Sequence, residues 1–219
     1  FQNPTGVTMS VKRRMDLMEL ASRYGVLIIE DTAYNELYFG GQLHPTIGAL
    51  SQGRFVITAG TFSKVIAPGL RVGWLQAAPK LVETMMPVRF DMGNSPLLHR
   101  MIFEFMVTGS LETHVAQMRK ICHSKMRVLA KALRRHCGTK VEFSEPSGGF
   151  FLWLQINVSL SAKEVQERAL EQNVVFPIGS GFYPSEGPQS KKQFIRLAYS
   201  RATNEELETA AIRLSSCLS

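Results

Sequence analysis

Cysteine is scarce in this chain: Cys122, Cys137 and Cys217 are the only three in 219 residues. An odd number cannot pair completely, no C-x-x-C occurs, and no Cys/His cluster has zinc spacing. A disulfide scaffold and a structural zinc site are therefore excluded, and no metal ligands are expected. Such cysteine usage points to a reducing compartment, read here as the cytoplasm. Long apolar runs are also missing; none approaches the ~18 residues of a membrane-spanning helix. Seventeen Gly and ten Pro are too few for a collagen-like or Pro-rich chain. Internal repeats and low-complexity tracts are absent. Residues 1–6 lack a basic stretch followed by an apolar core, so they are not read as a signal peptide.

What is present is the balance of a globular protein, 45% hydrophobic and 20% charged. The length is enough to bury a sizeable core and suits two smaller domains. Lys and Arg outnumber Asp and Glu by 25 to 18, a net charge of +7, with a sequence pI near 9.5. Such a balance invites a nucleic-acid reading. However, the cations are spread along helical segments: Lys12, Arg13, Arg14, Lys120, Lys125, Arg127, Lys131, Arg134 and Arg135. They read as solvated helix faces, and nucleic acid is not the expected partner.

The hydrophobic pattern alternates between helix and strand. Val11, Met15, Leu17, Met18 and Ala21 predict an amphipathic helix over 10–24, capped by Ser10 and stopped by Gly25. Val26-Leu27-Ile28-Ile29 follows, a continuous apolar run that predicts a strand buried on both faces. Phe55-Val56-Ile57 and Val72-Gly73-Trp74-Leu75 are two more such runs. Helix then strand, repeated, predicts an α/β architecture with a mainly parallel sheet. The second half predicts a long basic helix over 111–136 ended by Gly138, and strands at 141–143 and 150–154 around a Pro146-Ser147-Gly148-Gly149 turn. A helix over 161–172, a strand at 194–197 and a final helix over 204–218 complete it. The expected division is part of a large domain, residues 1–108, and a small α+β domain, residues 109–219.

In open α/β sheets a ligand sits beyond the carboxyl ends of the strands. Asp31 directly follows the first run, and Thr61-Phe62-Ser63-Lys64 follows the second. Apolar neighbours Phe62, Val65 and Ile66 would desolvate the Lys64 amine, and a desolvated amine is the better nucleophile. Thr61, Ser63 and Arg71 offer two hydroxyls and a guanidinium around one Pro-Gly turn, which suits a phosphate. Alone, each admits a plainer reading: an exposed loop lysine, a surface arginine, a strand-end aspartate capping a turn.

Together they resemble the class I/II aminotransferases, fold-type I enzymes dependent on pyridoxal 5′-phosphate. Five segments in family order carry the resemblance: Phe1-Gln2-Asn3-Pro4-Thr5-Gly6, Asp31-x-x-Tyr34, Ser63-Lys64-x6-Arg71, Gly148-Gly149-Phe150-Phe151 and Phe194-Ile195-Arg196-Leu197. The subgroup it approaches holds the aminoadipate and kynurenine aminotransferases and the aminotransferase-like domains of some bacterial transcription regulators. The resemblance implies that Lys64 bonds the cofactor as a Schiff base and moves the proton, and that Asp31 holds the pyridine nitrogen protonated. It further implies that Asn3 and Tyr34 hydrogen-bond the ring 3-oxygen, that Thr61, Ser63 and Arg71 hold the phosphate, and that Arg196, with Asn3, binds the substrate α-carboxylate. The substrates would be an amino acid and a 2-oxo acid, and the intact protein a homodimer without membrane attachment. The resemblance covers the C-terminal half to two-thirds of such a protein. The Gly-rich phosphate turn, ring-stacking aromatic and cross-dimer tyrosine that the family carries before Asn-Pro-Thr-Gly are not among these residues, so this chain alone is not expected to turn over. A lyase or synthase of the same fold, or an effector domain of a transcription regulator, are the competing readings.

Overall fold

A computed structural model describes residues 1–41, 43–89, 93–183 and 193–219. By packing, the chain forms two compact units: Thr8–Met118, and Arg119–Ser219 together with Phe1–Val7.

The first unit opens with helix α1, Val11–Tyr24. Its start and stop are those the sequence predicts. Ser10 is in extended backbone with its side chain accepting from Arg13 N, and Gly25 adopts φ 63° as the left-handed C-cap. Strand β1 (Ile28–Asp31) pairs in parallel with β2 (Val56–Thr61), and β2 pairs antiparallel with β3 (Gly73–Gln76), in the order β1-β2-β3. Between them lie the short helix α2 (Ile47–Ser51) and a 3-10 turn at Pro68–Leu70. Helices α3 (Pro79–Met85) and α4 (Pro96–Val107) follow, and α5 (Ser110–His136) begins in this unit and continues in the other.

Two expectations need correction here. The runs at 26–29 and 72–75 are not buried on both faces: Val26, Leu27 and Ile29 are exposed, Ile29 by 72%, and every residue of β3 is exposed. Only β2 starts with three buried residues, Val56, Ile57 and Thr58. The physical reason is position: β2 is the central strand, whereas β1 and β3 are the edges of a three-stranded sheet among the described residues. Arg14 is the second correction. It does not lie on a solvated helix face; its side chain is only 12% exposed and pairs with Glu30.

The second unit is built on an antiparallel sheet, β4 (Val141–Glu142), β5 (Phe151–Ile156) and β6 (Phe194–Ala198). Strict alternation along β5 and β6 gives the sheet two unlike faces. Leu152, Leu154, Ile156, Ile195 and Leu197 are buried with Leu129 and Leu133 of α5, Val165 of helix α6 (Ala162–Glu171), and Leu207 and Leu214 of helix α7 (Asn204–Cys217). Each such side chain contributes roughly 1.5–3 kcal/mol by leaving water. Both α6 and α7 begin with complete capping boxes, Ser161 with Glu164 and Thr203 with Glu206. Tyr199 is fully buried and donates to Gly149 O at 2.9 Å. All three cysteines are buried and unpaired, and burial pushes the Cys137 thiol up to about 11. Lys120, Arg127, Lys131, Arg134 and Arg135 lie exposed along α5, the solvated face the sequence predicts, whereas Lys125 is half-buried and donates to Ser200 O at 3.1 Å.

Candidate active site

The parallel pairing of β1 with β2 brings two chain segments to one end of the sheet. Asp31, the last residue of β1, is in register with Ala59, and the next residue, Thr32, donates from its N–H to Ala59 O at 2.8 Å. Tyr34 follows in a tight turn, in which Leu37 N donates to Tyr34 O. Strand β2 ends at Thr61, and the turn after it carries Ser63 and Lys64. The Lys64 amine sits 5.9 Å from the centroid of the Tyr34 ring. Sequence positions thirty apart are thus neighbours through strand pairing.

Asp31 is exposed, and its Oδ1 accepts from Ala33 N at 2.9 Å, the turn-capping role open to any strand-end aspartate. Thr61 Oγ1 lies 2.9 Å from Ser63 Oγ and 3.2 Å from Val72 O, and Ser63 N donates to it at 3.1 Å. Two hydroxyls and a backbone amide therefore converge just past the strand. Arg71 caps the Pro68–Leu70 turn at φ 52°, is exposed, and donates from Nη1 to Pro68 O at 3.3 Å. Among the described residues its guanidinium makes no hydrogen bond to Thr61 or Ser63.

Behind this end of the sheet lies a network that sequence reasoning missed. Glu30 is 10% exposed in its side chain and accepts from Arg14 Nη1 at 3.4 Å, Ile47 N at 2.8 Å, Gly48 N at 3.0 Å and Thr58 Oγ1 at 3.4 Å. It ties α1, β2 and the start of α2 to the strand that ends in Asp31. An acid directly after an apolar run was the available signal.

The remaining two candidates lie in the second unit. Asn3 and Arg196 come from opposite ends of the chain, and Arg196 Nη1 donates to Asn3 Oδ1 at 2.6 Å. The Asn3-Pro4-Thr5-Gly6 turn is closed by Gly6 N on Gln2 O at 2.7 Å. Gly6 adopts φ 70°, and a Cβ there would lie 2.8 Å from Pro146 Cβ, so glycine alone lets this turn seat against the Pro146-Ser147-Gly148-Gly149 segment. Arg196 is half-buried on the mixed face of β6, with its Cζ 4.2 Å from the Phe151 ring centroid and 5.1 Å from that of Phe182. Among the described residues no group of three His, Cys, Asp or Glu is arranged to hold a metal.

The sequence of residues 1–214 matches the family description "Aminotransferase class I and II". The chain belongs to this family. It is 31% identical to the 2-aminoadipate transaminase of Thermus thermophilus, over 100% of this chain and 55% of that protein. It is also 31% identical to the uncharacterized HTH-type transcriptional regulator YdfD of Bacillus subtilis, over 98% of this chain and 44% of that one. Among solved structures, the multiple substrate aminotransferase of Thermococcus profundus superposes with a TM-score of 0.92 at 32% identity, covering 99% of this chain and 54% of its own. LysN, the alpha-aminoadipate aminotransferase of Thermus thermophilus, solved with N-(5′-phosphopyridoxyl)-L-leucine, gives 0.89 at 31%, with 99% and 56% coverage. The fold is therefore that of the fold-type I aminotransferases, and the chain spans about half the length of the relatives it matches.

Proposed function

We propose that this chain is the C-terminal portion of a pyridoxal 5′-phosphate-dependent aminotransferase that moves an amino group from an amino acid to a 2-oxo acid. The observation that carries the proposal is the cluster at the paired ends of β1 and β2: an amine, a carboxylate, a phenol and two hydroxyls. Their chemistry fits the cofactor group by group. A lysine amine suits an aldehyde, an aspartate suits a protonated ring nitrogen, and hydroxyls and an amide N–H, with the Arg71 guanidinium on the next turn of chain, suit a phosphate.

When bound, the cofactor supplies an electron sink for the bonds at the substrate Cα. Lys64 Nζ then takes and returns the Cα proton, a general-base role that its place at the strand ends permits. Asp31 would hold the proton on the ring nitrogen, and Tyr34 would donate to the ring 3-oxygen, a role Asn3 shares in the family pattern. Thr61, Ser63 and Arg71 would hold the phosphate. Arg196, steadied by Asn3, binds the α-carboxylate with its two-pronged edge. On this reading residues 1–108 serve the cofactor and 109–219 the substrate carboxylate, with Asn3 shared between the two tasks. The complete protein works as a homodimer in the cytoplasm; three buried, unpaired thiols support the reducing compartment.

Amino-group transfer by the full-length, cofactor-loaded protein tests this, with several donors and 2-oxoglutarate or pyruvate as acceptor. The account expects measurable transfer that Lys64→Ala abolishes. The similarity to an HTH-type regulator favours a second reading, an effector-sensing domain. Cofactor binding with no transfer to any acceptor would select it.

A further inference from the structure

We propose that Phe151 and Phe182 form an aromatic seat that fixes the guanidinium plane of Arg196 and so sets how tightly the protein grips a substrate carboxylate. The inference rests on the reading of Arg196 as the carboxylate-binding residue and extends it to two side chains with no polar group of their own.

The alternation of β5 and β6 places Phe151, Trp153, Phe194 and Arg196 on the face opposite the buried core. Trp153 stands directly across from Arg196 in the ladder, and Phe151 is two residues away on the same face. Phe182 comes from elsewhere. Arg196 N donates to Pro177 O at 3.0 Å, and Ile178 bridges Ile195, so this stretch lies along the edge of β6. It then turns through the 3-10 helix Gly179–Phe182. A Cβ on Gly179 would lie 2.7 Å from Phe194 Cβ and 3.3 Å from the Trp153 ring. Only glycine lets the segment press this close, and the closeness delivers Phe182 over Arg196. Trp153 in turn holds Phe182, meeting it edge-to-face at 5.7 Å and 90° while stacking on Phe194 at 5.1 Å and 13°.

The arrangement separates two kinds of contact. A ring attracts a guanidinium through its face, whereas every guanidinium N–H points in the plane. Rings at 4.2 and 5.1 Å therefore restrain the arginine without using its donors. Asn3 fixes the in-plane rotation through Nη1. A long, flexible side chain ordered in advance loses less freedom when the carboxylate arrives. Because the α-carboxylate is common to all amino acids, the effect is uniform across donors and indifferent to their side chains.

The test uses the full-length, cofactor-loaded protein with Phe182→Leu, and Phe182→Met as a second variant that fills more of the same space without a π face. The expected result is a KM for every donor raised roughly 3- to 30-fold, with kcat held within about twofold because ground-state and transition-state binding fall together. Calorimetric titration with 3-phenylpropanoate, which has a carboxylate and no amine, should show a Kd weakened by the same factor. Phe182→Tyr, which restores the π face, should bring both back. Unchanged KM and Kd in the Leu and Met variants, where Arg196→Lys weakens both, would overturn the aromatic seat and leave the proposed function standing. Failure of Tyr to rescue would also overturn it, since packing alone would then account for the loss. Arg196→Lys without effect on KM or Kd would instead overturn the reading of Arg196 itself.

Discussion

Glu30 and Asp31 are adjacent acids on one strand with opposite surroundings. Side chains alternate along a strand, so Glu30 turns inward to Arg14, Thr58 and two backbone amides while Asp31 stands exposed at the strand end. The structure thus separates an acid that holds the fold from one open to a ligand. Asp31→Asn keeps the size and the turn-capping oxygen but removes the charge. It should leave the urea midpoint nearly unchanged and slow amino transfer by about 100-fold or more, measured as kcat of the loaded protein. Near-normal turnover would remove Asp31 from the chemistry. Asp31, Lys64 and Arg196 were legible in the sequence as candidates, because each sits in a short motif with a distinctive neighbour. Glu30 and Phe182 were not. Glu30 draws its meaning from Arg14, sixteen positions earlier, and Phe182 from a segment that reaches Arg196 only through pairing with β6.

At the scale of elements, caps and ion pairs decide where each helix begins and what it is tied to. Glu164 and Glu206 accept hydrogen bonds from Ser161 and Thr203, which hold both carboxyls below the ordinary glutamate value of 4.5. A folded-state value lowered in this way stabilises above the unfolded value, and the contribution is lost as pH falls through the folded one. Acidification from about pH 6 to about pH 3 should therefore lower the urea midpoint, and Glu164→Gln with Glu206→Gln should flatten that decline. An equal decline in the double variant would contradict the role given to the caps. Glu30→Gln is the harsher change. It leaves Arg14, 12% exposed, without its counter-charge and should cost about 3–5 kcal/mol by equilibrium urea unfolding, whereas a loss under about 1 kcal/mol would mark the pair as an exposed one. Helices α1, α6 and α7 were legible within a residue or so at each end, and in the structure Ser10, Ser161 and Thr203 cap them. Helices α3 and α4 went unread. Each starts with Pro at its first position and no side-chain cap, and α4 is apolar on nearly every face, so no stripe stands out.

Over the whole molecule, charge and burial follow positions that composition does not reveal. Helix α5 alone carries seven Lys and Arg against the single acid Glu112, and five of the seven are exposed, so most of the net charge of +7 belongs to one helix and chiefly to its solvated face. The presence of three strands was legible from three apolar runs, though not that β3 pairs antiparallel with β2. Their burial was not, because an unbroken apolar run does not report how many neighbours cover it. Ile29 at 72% and Leu75 at 57% exposure show the difference, beside a β2 whose Val56 is 1% exposed. The proposed function gives the sheet its part because its parallel pair ends in Asp31 and Thr61, one turn short of Lys64. Borohydride reduction of the full-length protein loaded with pyridoxal 5′-phosphate, followed by peptide mapping, tests this claim most directly. The account predicts a single pyridoxyl label, on Lys64; label on any other lysine, or none at all, would contradict it.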